Sequence, residues 1–188
     1  KTNNQMVAVL FTDIQGFTSI SESLTADEVI QLLSEYQDKM IKPIFQNSGT
    51  VDKFIGDAVM ATFGTPVSQG NDAQNALNCI RQMQISMREW EKERSNKDLP
   101  IIKHRVGVHY GSCFVGNVGS EDRVEFTVIG DTVNVASRIC EACKEVKSDI
   151  LISDEVKLRL SENLPTEEVK NFEVRGRDKK ITLHKLTV

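Results

Sequence analysis

Two apolar stripes at helical spacing constrain this chain more than anything else in it. Val29, Leu33, Tyr36, Met40 and Ile44 recur at intervals of three and four, and Ala73, Ala76, Leu77, Ile80, Met83, Met87 and Trp90 do so again. Between them, "GTVDKFIGDAVMATFG" (residues 49 to 64) reads as two strands joined by a tight turn around Gly56-Asp57. The apolar run Val7 to Phe11 reads as a short buried strand ahead of the first stripe. The glycine-heavy "IIKHRVGVHYGSCFVGNVGS" follows the second as β-rich chain. The order is therefore β-α-β-β-α-β, with more β/α material after it. That order predicts an α+β fold, a mainly antiparallel sheet with helices packed on one face.

Local signals sharpen the outline. Thr25 with Glu28 three residues on is a capping box, so the first long helix starts there and runs to about Phe45. Pro43 is expected to kink or loosen its last turn. "EKERSNKDLP" (91 to 100) reads as a solvated connection, and "RVEFTVIGDTVNVASRI" passes from strand into helix. The remainder alternates strand, short helix and two terminal strands around "FEVRGRDKKITLHKL".

At 188 residues the chain suits one domain with a substantial core. A formal net charge of -4 gives no basic field for nucleic acid, and no apolar run approaches the length of a membrane span. The chain starts at Lys1 rather than Met, so it is expected to be a piece of something longer, with an upstream regulatory domain outside it. Cys140 and Cys143 form a C-x-x-C, but no second pair or His spacing completes a zinc site. On a helix they share an apolar face with Val133 and Ala136, so they read as core thiols of a reducing, cytoplasmic compartment.

The chemistry-bearing residues are few. The first strand ends on Asp13 and passes at once into Gly16-Phe17-Thr18, which is ordinary turn chemistry or the exit of a cation site. Asp57 sits at the hairpin tip, and if the first strand pairs with that hairpin the two carboxylates approach at one edge. Two carboxylates with hard cations suit the binding of a nucleoside triphosphate through Mg²⁺. Asn134 and Arg138, four apart on a helix, pair an amide with a guanidinium, a set suited to sugar and phosphate oxygens or to a solvated face. Lys53 reads as an exposed strand position. Arg105 lies on a strand followed by small residues, and Arg175 stands beside a glycine. His104 and His109, five apart on one strand, point to opposite faces and read as structural.

"FTDIQGFT", "VDKFIGDAVMATFG", "RVGVHYG" and "FTVIGDTVNVASR" resemble, in order and spacing, the signature segments of class III nucleotide cyclase catalytic domains. The resemblance covers nearly the whole chain as a single catalytic domain, 1–188, and implies a ferredoxin-like core. It also implies a homodimer with its active sites in the cleft between subunits. It implies that Asp13 and Asp57 hold two Mg²⁺ or Mn²⁺ ions, with the Ile14 carbonyl as a further ligand. Gly16, Phe17 and Thr18 would meet the triphosphate, as would Arg105 and Arg175, the latter standing where a lysine is usual. Lys53 falls where adenylyl cyclases read adenine and guanylyl cyclases typically carry Glu, and Thr127 falls at the second base-reading position. Asn134 and Arg138 would orient the ribose and stabilise the transition state. The activity implied is formation of cyclic AMP from ATP. The alternatives are a guanylate cyclase and an inactive nucleotide-binding regulatory domain.

Overall fold

The computed structural model describes residues 3–174 and 180–188. The first strand, β1 (Asn3–Ile14), alternates its side chains between two sheet faces. Ala8, Leu10 and Ile14 point one way, into a cluster with Leu32, Tyr36, Met40 and Ile44 of α2 (Ala26–Gln46). The same cluster takes Ala76, Leu77, Ile80, Met83 and Trp90 from α3 (Asp72–Asn96). Val7, Val9 and Phe11 point the other way, and Asp13 continues that alternation.

Both apolar stripes are thus helices, with one local shift: α2 buries Leu32, where the sequence reading had Leu33. The capping box forms as expected, Thr25 accepting from the Glu28 N–H and the Glu28 carboxylate from the Thr25 N–H. The helix continues through the buried Pro43 to Gln46. The expected solvated connection is corrected, because α3 runs on to Asn96. Residues 91 to 94 are good helix formers, and Arg94 lies over the Trp90 ring while donating to the Pro100 carbonyl at 2.6 Å.

The hairpin β2 (Gly49–Ile55) and β3 (Ala58–Phe63) pairs antiparallel with β1 through β3. The long β4 (His104–Ser120) lies on the other side of β1. The order β2-β3-β1-β4 is the four-stranded core, and β6 (Ile150–Ser153), β8 (Ile181–Lys185) and β7 (Glu167–Phe172) extend it beyond β4. Among the described residues β4 and β6 pair in parallel and the other ladders are antiparallel. From Phe114 onward β4 pairs with β5 (Arg123–Ile129), an arm off the main path of the sheet.

The expectation of helices on one face only is also corrected. The helix α4 (Asp131–Val146) covers the opposite face, packing Ala136 and Cys140 against Val7, Val9 and Phe11, and Ile139 and Cys143 beside Leu151 and Leu183. It comes close because of one glycine: a β-carbon at Gly107 would collide with the Cys140 backbone. The C-x-x-C is core, as expected. Both thiols are buried, and burial pushes Cys143 up to about 12. The short helices α1 (Phe17–Glu22) and α5 (Asp154–Lys157) complete the described chain.

Candidate active site

The strand β1 leaves the sheet at Asp13 and Ile14, and the β2–β3 turn meets it there. Asp57, on that turn, accepts from the Ile14 backbone N–H through Oδ2 at 2.9 Å. Asp13 and Asp57 are close enough for Asp57 to push the Asp13 carboxyl upward. The two carboxylates therefore do meet at one edge of the core sheet. Gly16 follows in the left-handed region at φ 66, a conformation that favours glycine, and lets the chain turn into α1 at Phe17 and Thr18.

Asp13 is also the cross-strand partner of Arg105 on β4, and the two form a bidentate pair. Nε donates to Oδ1 at 2.9 Å and Nη2 to Oδ2 at 3.1 Å, with both side chains about four-fifths buried. Burial is the largest influence on Asp13 and raises its carboxyl above the ordinary range. The bond and field of Arg105 pull against it, without reversing the direction. Nothing in the sequence patterns suggested this pairing, which depends on a register between strands far apart in the chain.

A dry polar network lies directly beneath, on the α2/α3 face. The Thr12 hydroxyl donates to the Arg105 carbonyl at 2.8 Å and lies 2.6 Å from the Tyr36 hydroxyl. His104 Nδ1 is 3.2 Å from that hydroxyl, and its Nε2 donates to the Gln84 side-chain carbonyl. Complete burial lowers the His104 pKa to about 4, so the ring is neutral at pH 7. His104 and His109 do point to opposite faces, His109 bonding Ser153 Oγ at 2.8 Å.

Lys53 is exposed on β2, as expected, with Nζ 4.0 Å from the buried Asp52 carboxylate. Burial raises the Asp52 carboxyl above the ordinary range, and Lys53 and the backbone N–H of Val128 on β5 pull against it, so Asp52 lies between Lys53 and the residue that follows Thr127. Asn134 is exposed on α4. Arg138 lies 4.9 Å over the Phe172 ring and donates to Glu145 Oε1 at 2.9 Å. Among the described residues no hydrogen bond joins Asn134 or Arg138 to Asp13 or Asp57. Arg175 lies outside the described residues.

Large apolar side chains remain exposed on both faces of the strands at this end of the molecule. Phe54 and Ile55 at the end of β2, and Phe114, Val118, Phe126 and Ile129 on the β4–β5 arm, are 43% to 56% exposed. They lie on β2 and on the β4–β5 pair, and exposed apolar side chains of this size are of the kind that another protein surface covers.

The chain matches the family defined as the Adenylate and Guanylate cyclase catalytic domain over residues 1–187. It is 31% identical to Adenylate cyclase 1 of Rhizobium meliloti (strain 1021), over 97% of this chain and 27% of that protein. It is 36% identical to Adenylate cyclase of Anabaena cylindrica, over 98% of this chain and 37% of that protein. It thus spans well under half the length of these curated relatives. The crystal structure of the adenylyl cyclase CyaB from P. aeruginosa superposes with a TM-score of 0.89 at 32% identity, covering 100% of this chain and 96% of that one. The guanylyl cyclase Cya2 gives 0.88 at 30%, covering 97% and 92%. The fold, the meeting of Asp13 and Asp57, and these likenesses agree: the chain belongs to the family of adenylate and guanylate cyclase catalytic domains.

Proposed function

We propose that this chain is the catalytic domain of an adenylate cyclase acting as a homodimer. The ribose 3′-oxygen of ATP attacks the α-phosphorus in line, closing the 3′,5′-cyclic ester and releasing pyrophosphate. The observation that carries this reading is the partly buried pair Asp13 and Asp57 at the β1 exit, with a guanidinium already seated on one of them. Two such carboxylates fit divalent cations that complete their shells with phosphate oxygens, and a guanidinium resting there marks a place built for positive charge. Asp13, Asp57 and the Ile14 carbonyl would hold two Mg²⁺ or Mn²⁺ ions. Such ions lower the pKa of the attacking hydroxyl and neutralise the departing phosphates.

The other residues position and stabilise. The amides at Gly16, Phe17 and Thr18, with Arg105 and Arg175, would meet the triphosphate. Asn134 would orient the ribose, and Arg138 would stabilise charge on the α-phosphate as it forms. Among the described residues neither Asn134 nor Arg138 bonds Asp13 or Asp57 within one chain, and Arg138 is turned to Glu145 and Phe172, as a site completed by the second subunit would have it. The exposed apolar side chains of β2 and the β4–β5 arm give that subunit a surface to bind.

Base choice rests on Lys53, because CyaB and Cya2 are almost equally similar to this chain. An ammonium donates to the N1 acceptor of adenine, whereas guanine presents an N1–H. The Thr127 hydroxyl serves either base. The test is product formation from ATP and from GTP with Mg²⁺ or Mn²⁺. Cyclic AMP is expected, and Lys53→Glu should cut ATP turnover by up to about 10⁴-fold. Preferential cyclic GMP formation would reverse the base assignment. Nucleotide binding without either product would leave a regulatory domain.

A further inference from the structure

Two buried carboxylate oxygens among the described residues lack a hydrogen-bond partner, Oε2 of Glu155 and Oδ2 of Asp52. The first faces His109 Nδ1 at 3.8 Å. The second has no such account, and it lies beside the residues given to the base. Asp52 is the extra residue of a β-bulge: Val51 pairs with Ala61 and Lys53 with Met60, so Asp52 has no partner on β3. A bulge re-aims the side chains around it. Here it turns the Asp52 side chain inward until only 5% is exposed, while Lys53 stays at the surface with 48% of its side chain exposed.

In that position the carboxylate lies between β2 and β5. Its Oδ1 lies 4.0 Å from Lys53 Nζ, and the backbone N–H of Val128, one residue after Thr127, is near enough to favour its charged form against the effect of burial. Burying a carboxylate with one oxygen unpaired is costly, and packing alone would be served by an uncharged residue.

We propose that Asp52 is a positioning residue for base selectivity, its carboxylate holding the Lys53 ammonium and strand β5 as one unit so that Lys53 and Thr127 meet adenine at a fixed spacing. This rests on the reading that Lys53 and Thr127 face the base. Lys53 keeps N–H donors for the base while one is drawn to Asp52. The unpaired Oδ2 is a ready acceptor when the ammonium shifts toward a bound nucleotide. Asp52 touches no reacting atom, so its loss acts on binding and choice rather than on the chemical step.

The test is Asp52→Asn, which keeps the shape and an acceptor for Val128 but removes the charge. With folding checked by circular dichroism, KM for ATP should rise about tenfold with kcat within about twofold. The ATP-over-GTP ratio of kcat/KM should fall about tenfold, the size of one charge-assisted hydrogen bond. In a Lys53→Ala background the same change should have no further effect on that ratio. If Lys53→Ala leaves selectivity intact, the base assignment fails and this proposal with it. If Lys53→Ala relaxes selectivity and Asp52→Asn does not, only the role of Asp52 is overturned. Should Asp52→Asn fail to fold, the carboxyl carbon of Asp52 can be followed by NMR in the unmodified protein. It should shift on adding 3′-deoxyadenosine triphosphate and not 3′-deoxyguanosine triphosphate, and the response should vanish in Lys53→Ala. A signal indifferent to both nucleotides refutes the proposal.

Discussion

The two faces of the central sheet are built to different specifications. On the α2/α3 side, polar groups are buried and matched within the chain: Thr12, Tyr36, His104 and Gln84 form a closed set of contacts. On the α4 side, Arg138 stacks on Phe172 at the edge of the core, Asn134 faces out, and Lys53, opposite Met60, is exposed. One face pairs its polar groups internally; the other presents them to solvent, as the proposed shared site requires. Lesions on the first face should therefore cost stability, and lesions on the second should cost activity with the fold intact.

The largest effect expected is on the carboxylates of the open face. Asp13→Ala and Asp57→Ala should each abolish turnover, because one remaining carboxylate cannot hold the dication charge. Circular dichroism should stay near that of the unmodified protein. Substantial turnover in either variant at saturating Mn²⁺ would remove them from the metal site.

Arg138→Ala comes next, with a loss on the order of 10²–10³ in kcat if the guanidinium is a transition-state donor. Its sharper use is in a mixture with Asp57→Ala. If the site is shared across a homodimer, each variant homodimer should be nearly inert, but a mixed dimer should collect both lesions in one site and leave the other whole. Random pairing makes about half the dimers mixed, so recovery should approach roughly a quarter of normal activity. No recovery, with mixed dimers shown to form, would mean that each site lies within one chain and that the open face is not half of a shared cleft.

The smallest effect belongs to the sealed face. The folded-state pKa of His104 is about 4 against an ordinary value of 6.5. Above the higher value the ring is neutral in both states and the network contributes fully. As pH falls toward 4 the unfolded chain takes up a proton that the folded chain refuses. Stability should decline across that window by about 3 kcal/mol. Denaturant unfolding at several pH values should show this slope, and His104→Gln should flatten it. An unchanged slope would place the acid sensitivity elsewhere.

Much of the frame was legible in the sequence, because helical stripes, a capping box and a glycine-centred hairpin are local signals. The meeting of Asp13 and Asp57 was also legible, since it follows from which strand pairs with the hairpin. What was not legible depends on long-range register or on a single irregular residue. The Asp13–Arg105 pair exists because residues 13 and 105 are directly opposed across two strands. Asp52 looks like one more polar residue in an edge strand until the bulge turns it inward. The placement of α4 on the second face was hidden for a related reason: its own stripe says that it packs, not on which side.

Gly107 gives that last placement a consequence for how the molecule tolerates change. The height of α4 above the sheet is set by a missing atom, so the spacing has no slack in the inward direction and no side chain to trim. Any residue larger than glycine lifts the helix, and Asn134 and Arg138 travel with it as passengers. In a two-fold pair the same displacement is entered at both clefts at once, and no undamaged copy remains to compensate. A methyl group far from the chemistry would then act as an alignment error across the whole assembly, which makes Gly107 a gauge block for the site rather than a space in the core.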